Sequence, residues 1–268
     1  MTKGGHQPFI FKGETQLSPI VYGIRIRSLL VWIGLVVTIA VLIHLASGLA
    51  KPGALPVGDF PQYWAIGHVM LSGGNPYDPD QILQLQKEYK VEFGWTIDCP
   101  FLTLQPPWTL ILFTPLGLLS YPVARALWLG LHFILLLFCA DWLWRFYGGP
   151  VQRRWIAWAI SFTFAPSLFV LVNGQIGLLI LLGIIGFLHH EKRHREWLTG
   201  VSVALVAIKP QLFYLFWIAL LLWTIKQRRW QVLLGFGLAL AIATAIPLIQ
   251  NFAIIRQYLA QPSPLYWV

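Results

Sequence analysis

Gly58-Asp59-Phe60-Pro61-Gln62-Tyr63-Trp64-Ala65 is the stretch whose residue types offer chemistry. A carboxylate at a chain turn can take a proton from a hydroxyl group. Asp59 can equally cap a helix that starts at Phe60-Pro61, because Asp is favoured at N-caps and Pro in the first turn. Two cations complement it. Lys209, beside Pro210, and Arg125 can each stabilise developing negative charge. Their plainer readings are a lysine snorkelling at a helix end and an ordinary helix-end arginine.

Other polar residues read as structural. Asp78 and Asp80 fit turn and cap roles. Asp141 lies four residues before Arg145, the spacing of a helix-surface ion pair. His44 and His132 sit on apolar runs and fit packed or hydrogen-bonded helix positions. Asn173-Gly174-Gln175 fits a turn between two helices. The 14 tryptophans fit belts at membrane interfaces, with Trp64 and Trp108 able to serve either a belt or a sugar platform.

These residues must be held by a membrane protein. The 268-residue chain is 57% hydrophobic and only 11% charged, against about 25% charged in soluble domains. Long apolar runs recur from Leu29 to Leu248, the pattern of a polytopic all-α membrane protein. The net charge of +9 does not indicate nucleic-acid binding, because the basic residues cluster between apolar runs as topology requires. Residues 1–28 are polar and basic, and the first apolar run is too long for a cleaved signal, so it is expected to stay as an anchor. Cys99 and Cys139 form no disulfide framework.

Residues 1–27 are expected in the cytoplasm, and helix 1 from Ser28 to Leu49. Residues 50–120 form an outer loop containing the turn-rich Asn75-Pro76-Tyr77-Asp78-Pro79 and an amphipathic helix from Asp80 to Val91. Residues 101–120 are apolar but broken by Pro106-Pro107 and Pro115. Further runs lie at 121–144, 155–172, 174–189, 197–208, 211–225 and 230–249. If 101–120 lies along the membrane rather than crossing it, three basic clusters fall on the side of the N-terminus. They are Arg145/Arg153/Arg154, Lys192/Arg193/Arg195 and Lys226/Arg228/Arg229. Thirteen of the 19 Lys and Arg residues are then inside, and the positive-inside rule predicts seven crossings. Asp59, Arg125, Gln175 and Lys209 all fall outside. The short runs ending in polar turns suggest a cavity cut into the membrane from that face.

In the order and spacing of its motifs the chain resembles glycosyltransferase family 87, the polyprenol-phosphate-mannose-dependent mannosyltransferases of the GT-C superfamily. The matching strings are Asp59 with Tyr63 and Ala65, Gly74-Asn75-Pro76-Tyr77, Pro106-Pro107 with Pro115-Leu116, Ala126-Leu127-Trp128, Asn173-Gly174-Gln175, Gly200 and Lys209. Gln105 stands where the family often has Tyr before the paired prolines, Gly177 where it often has Asn, and Pro210-Gln211 inverts the usual order. Family members are usually longer, so the chain reads as a short complete enzyme, a fragment, or a short variant needing a partner.

The resemblance implies a single membrane domain of the GT-C type over residues 1–268, with helices 2–7 in 121–250. It implies mannose or a related hexose moved, with inversion, from a polyprenyl-phosphate donor to an outward-facing lipid or glycan acceptor. Asp59 is then the general base. Lys209 and Arg125 are candidates for the donor phosphate, and Gln175, Tyr63 and Tyr77 for donor phosphate or sugar. No metal or other cofactor and no nucleic acid is expected; the partners are donor, acceptor and bilayer, in the cytoplasmic membrane. The rival readings are a transporter or flippase for a lipid-linked sugar and a truncated, inactive scaffold. Transporters show inverted repeats and midplane charges, whereas this chain has no evident repeat and carries its ionisable residues mostly at helix ends.

Overall fold

Proline marks the start of several helices and of three 3-10 turns. In the computed structural model, which describes residues 58–93 and 104–261, helix α1 (Phe60–Leu71) carries Pro61 in its first turn. Helix α2 spans Pro79–Phe93. The expected anchor, the N-terminal 27 residues and Cys99 lie outside the described residues. Short turns follow: a 3-10 turn at Pro107–Thr109, helix α3 (Leu110–Phe113) and a 3-10 stretch at Thr114–Leu118. Helix α4 (Tyr121–Phe146) has Pro122 in its first turn. Then come α5 (Arg154–Thr163), α6 (Ala165–Val172), α7 (Gly177–Lys192) and α8 (Glu196–Val206). A 3-10 turn at Pro210–Phe213 leads into α9 (Tyr214–Gln227), followed by α10 (Trp230–Gln250) and α11 (Ile254–Leu259). The described residues are all helix, turn and loop, with no strand.

The run expected as one helix over 155–172 is two, bent by 67° around Phe164. Pro166 lacks an N–H and its ring would strike the carbonyl one turn back, so the helix cannot run through. The runs 197–208 and 211–225 are one pair folded back by 117° at Lys209-Pro210. Two single helices, α4 and α10, are long and apolar enough to cross a membrane, or four spans if each bent pair counts as one. Helix α7, read from sequence as a crossing, has 16 residues and is about 24 Å long, shorter than a typical hydrocarbon core of about 30 Å.

Breaks in apolar helices strand backbone carbonyls, and each unsatisfied group in hydrocarbon costs several kcal/mol. Tryptophans fill that need here. Trp64 Nε1–H donates to the Leu119 carbonyl at 2.9 Å, and Trp108 Nε1–H to Ala207 at 2.8 Å. Trp128 donates to Gly174 at 2.7 Å, Trp144 to Pro150 at 2.9 Å and Trp217 to Pro210 at 2.9 Å. Trp64 and Trp108 thus act as ties between segments.

The main core gathers α1, the 107–118 turns and the first turns of α4 around Tyr63, Trp64, Phe113 and Trp128. Ile82 of α2 is buried in it and Leu85 packs against it. The basic ends of the helices converge elsewhere: Arg145 and Lys192/Arg193 line one cavity, and Arg229 pairs with Glu191 at 3.3 Å and with Glu196 at 3.9 Å.

Helices α8 and α10 touch at backbone distance. A Cβ at Gly200 would lie 2.1 Å from the Val232 carbonyl oxygen, so a side chain there must push the helices apart. Close approach through small residues is the usual way apolar helices associate in lipid. Gly200→Leu is therefore expected to cost roughly 1–3 kcal/mol, read as a lowered unfolding temperature in detergent; an unchanged melting curve would remove this contact from the fold's support.

Candidate functional site

The site is built where α1 meets the turn between α6 and α7. Gly58 has φ +57°, a conformation that costs glycine little and other residues more. A Cβ there would lie 2.3 Å from the Asn173 carbonyl oxygen. The next residue, Asp59, donates its N–H to that same carbonyl at 3.0 Å. The Asn173-Gly174-Gln175 turn is held in its place from behind. Gly174 has φ +61°, and its carbonyl accepts the Trp128 indole N–H. Trp128 is 3% exposed, and its own carbonyl lies 2.9 Å from His132 Nδ1.

Asp59 occupies the N-cap position of α1, but its side chain makes no capping hydrogen bond. The carboxylate turns to two partners instead. Oδ2 lies 3.7 Å from Lys209 Nζ and accepts a long hydrogen bond from the Tyr63 hydroxyl at 3.4 Å. The two ionic side chains are 29% and 25% exposed, so they face a wet opening rather than a sealed core. Both contacts fall on Oδ2, and Oδ1 carries no hydrogen bond or ion pair among the described residues.

Tyr63 is fully buried and stacks on Phe113 with ring centres 4.6 Å apart. Burial pushes its phenol well above the ordinary range, the Asp59 carboxylate pushes the same way, and a backbone hydrogen bond with Ile176 opposes them. The phenol therefore keeps its proton at neutral pH and serves Asp59 as a donor.

Lys209 reaches this point because Pro210 breaks the chain between α8 and α9. Lys209 itself is neither helical nor β, at φ −127° and ψ 74°. Gln175 lies half-buried in the turn beside Asp59, and its side chain makes no hydrogen bond among the described residues. Arg125, one turn into α4, is only 9% exposed and forms no ion pair among the described residues. Tyr121 precedes it by one turn on the same helix. The structure brings together Asp59, Tyr63 and Lys209, with Gln175 in the adjoining turn.

Tyr77 lies apart from that group. It sits beyond the far end of α1, a helix of 12 residues and so about 18 Å long. Its hydroxyl donates to the Gln105 carbonyl at 3.0 Å, and its ring packs 5.3 Å from that of Tyr258. Asp78 caps α2, accepting from the Asp80 N–H at 3.0 Å and from Gln81 Nε2 at 2.8 Å. Asp141 and Arg145 form their ion pair at 2.6 Å. Among the described residues no group of three His, Cys, Asp or Glu side chains is placed to hold a metal.

The support role of Trp128 escapes sequence reasoning. Its signals in the sequence are its place in the Ala126-Leu127-Trp128 string and its position within an apolar helix.

The model of glycosyltransferase family 87 matches residues 104–263, more than half of the chain. The chain belongs to glycosyltransferase family 87. Its activity class is therefore glycosyl transfer, and with the candidate spans it marks an integral membrane protein. Arg125, Trp128, Gln175 and Lys209 fall within the family match, whereas Asp59 and Tyr63 precede it. No curated protein and no solved structure matches the chain.

Gly58→Ala tests the docking of Asp59 directly. The added methyl cannot coexist with the Asn173 carbonyl, and displacement of a catalytic group by about 1 Å can cost on the order of 10²-fold in rate. The expected result is a loss of glycosyl transfer of that size with helix content unchanged by circular dichroism. Full activity would show that the position of Asp59 does not matter.

Proposed function

We propose that this family 87 enzyme transfers mannose, or a related hexose, from a polyprenyl-phosphate donor to an outward-facing lipid or glycan acceptor. The observation that carries the reading is a half-exposed carboxylate facing a half-exposed ammonium, Asp59 and Lys209 at 3.7 Å, in a protein of this family. Such a pair supplies both charges that the transfer needs. The acceptor hydroxyl must lose a proton as its oxygen attacks the anomeric carbon. The bond from that carbon to phosphate breaks, and its electron pair leaves with the phosphate. One displacement on the opposite face inverts the anomeric centre.

Asp59 takes the proton on Oδ1, the oxygen with no hydrogen bond or ion pair among the described residues. Tyr63 holds Oδ2, fixing the carboxylate plane. Lys209 turns from Oδ2 toward the donor phosphate and stabilises the charge that forms there. Arg125, a buried cation without an acidic partner among the described residues, is the second phosphate contact. Gln175 offers its amide to a hexose hydroxyl. Tyr77, with its hydroxyl committed to Gln105, supports the loop rather than the sugar. The polyprenyl chain lies along apolar helix surface.

The topology proposed with this function has seven crossings in the cytoplasmic membrane, the N-terminus inside and Asp59 outside. It is supported by the charge bias of the sequence. One or more members of each basic cluster, Arg145, Lys192, Arg193 and Arg229, also lie close together at helix ends away from Asp59.

Asp59→Asn keeps the shape and the capping ability of the side chain but cannot accept a proton. Its expected cost is about 10²–10⁴-fold in transfer rate, with donor binding and folding nearly intact, measured with labelled polyprenyl-phosphate-mannose in liposomes. Asp59→Glu should keep part of the activity. Wild-type turnover in Asp59→Asn would make Asp59 a structural residue and end the base assignment.

For the phosphate contact, Lys209→Ala should weaken donor use more than Lys209→Arg, since either cation can face a phosphate. Its effect on unfolding should stay within about 1 kcal/mol, the range of a solvent-accessible pair. Equal activity of Lys209→Ala and wild type would exclude Lys209 from the chemistry.

A further inference from the structure

A cavity of about 610 Å³ lies between the C-terminal ends of α4 and α7. Helix α4 begins beside the Asp59 site, where Tyr121 packs on Phe60 and Trp64, and α7 begins just after the turn that docks Asp59. The cavity stands at the other ends of both helices, a distance of about 24–39 Å along their axes for 16 and 26 residues. It is a separate place from the transfer site.

Three cations line it: Arg145, Lys192 and Arg193. Arg145 is neutralised by Asp141 at 2.6 Å. Lys192 and Arg193 make no ion pair among the described residues. Lys192 instead rests over the Phe146 ring at 5.0 Å. The neighbouring Glu191 is taken by Arg229. An excess of two positive charges therefore surrounds the cavity.

The opposite wall is aromatic, from Phe138, Trp142 and Phe146. Trp142 is held by its indole N–H donating to His189 Nδ1 at 3.1 Å. Phe138 also ends a stripe of exposed apolar residues on α4: Leu127 at 58%, Leu131 at 44%, Ile134 at 64% and Phe138 at 45%. Spacings of four, three and four put these residues on one face. The stripe runs along a helix long and apolar enough to cross the membrane and leads straight to the cavity.

Cations in the last turn of a helix also offset its dipole. That effect accounts for Arg145 and Lys192, but not for a cavity between two helix ends with an apolar path leading into it. We propose that this cavity binds the phosphate headgroup of an anionic glycerophospholipid, whose acyl chain lies on the Leu127–Phe138 stripe of α4. The ammonium and guanidinium of Lys192 and Arg193 pair with the phosphate diester, and Trp142 covers the glycerol backbone at the interface. Free phosphate would meet the same cations but gains nothing from the stripe. The inference requires only that α4 crosses the bilayer and does not depend on which sugar donor the enzyme uses.

The test is native mass spectrometry of the purified full chain after equilibration with vesicles of equal parts phosphatidylglycerol and phosphatidylcholine. The wild type should retain phosphatidylglycerol by roughly thirtyfold over phosphatidylcholine, the scale of two Lys/Arg contacts to an anionic surface. K192Q/R193Q should bring the ratio to near one, while K192R/R193K, which keeps both charges, should preserve it. Loss of the preference in both double variants would mark misfolding at the helix end rather than loss of a charge contact, and would overturn the assignment. So would equal retention of the two lipids by wild type, or an unchanged preference in K192Q/R193Q. Displacement of the lipid by millimolar inorganic phosphate would show that the anion alone is recognised and that the stripe plays no part.

Discussion

A peptide group stranded without a partner in an apolar medium costs several kcal/mol, and much of this fold follows from that cost. The chain breaks its apolar helices at Phe164, at Asn173-Gly174-Gln175 and at Lys209-Pro210. Each break frees carbonyls. Around these breaks the carbonyls of Gly174, Ala207 and Pro210 accept indole N–H groups, and the Asn173 carbonyl accepts the N–H of Asp59. The last of these bonds positions the Asp59 carboxylate by its own backbone. The prolines that force the breaks and the tryptophans that repair them thus fix where polar groups can face water inside an otherwise apolar protein.

The same breaks decide which side chains meet. Lys209 reaches Asp59 only because the chain reverses at Pro210 by 117°. A continuous helix through 197–225 would carry Lys209 in mid-span, where an ammonium is costly. Tyr63 completes the group from the buried side. Its ring is clamped on Phe113, so its hydroxyl has little freedom and the carboxylate it touches is held in turn. A carboxylate oriented by one neutral donor and one cation, with no hydrogen bond or ion pair on its second oxygen among the described residues, has the arrangement that the proposed proton abstraction requires.

The two ends of the molecule carry different electrostatics. One presents the mixed pair Asp59 and Lys209. The other presents basic clusters, partly cancelled by Asp141, Glu191 and Glu196, with Lys192 and Arg193 in no ion pair among the described residues. Under the proposed topology such asymmetry follows because basic residues resist translocation, and Lys192 and Arg193 face the cytoplasmic leaflet.

The amino-acid sequence by itself determined the membrane class and the all-helical character, because hydropathy and charge spacing act over a few turns of chain. It marked the ends of α4 and α10 within two residues of the observed ones, since Pro122 and the flanking polar residues signal them locally. It placed Asp59, Arg125, Gln175 and Lys209 together as an expectation, and of these the structure brings Asp59 to Lys209, with Gln175 in the adjoining turn. It did not reveal that the 155–172 run bends at Phe164, because Pro166 lies in a segment apolar enough to look continuous. Nor did it separate Tyr77 from Asp59, since both lie in motif strings close together in the chain while α1 holds them apart in space. Only the tertiary structure decided that Asp59 faces Lys209 rather than capping its helix, and that Trp128 braces the turn beneath it. Those contacts join segments far apart in sequence, and they depend on helix packing and on which stranded carbonyl each side chain can reach, quantities that no local pattern of residues encodes.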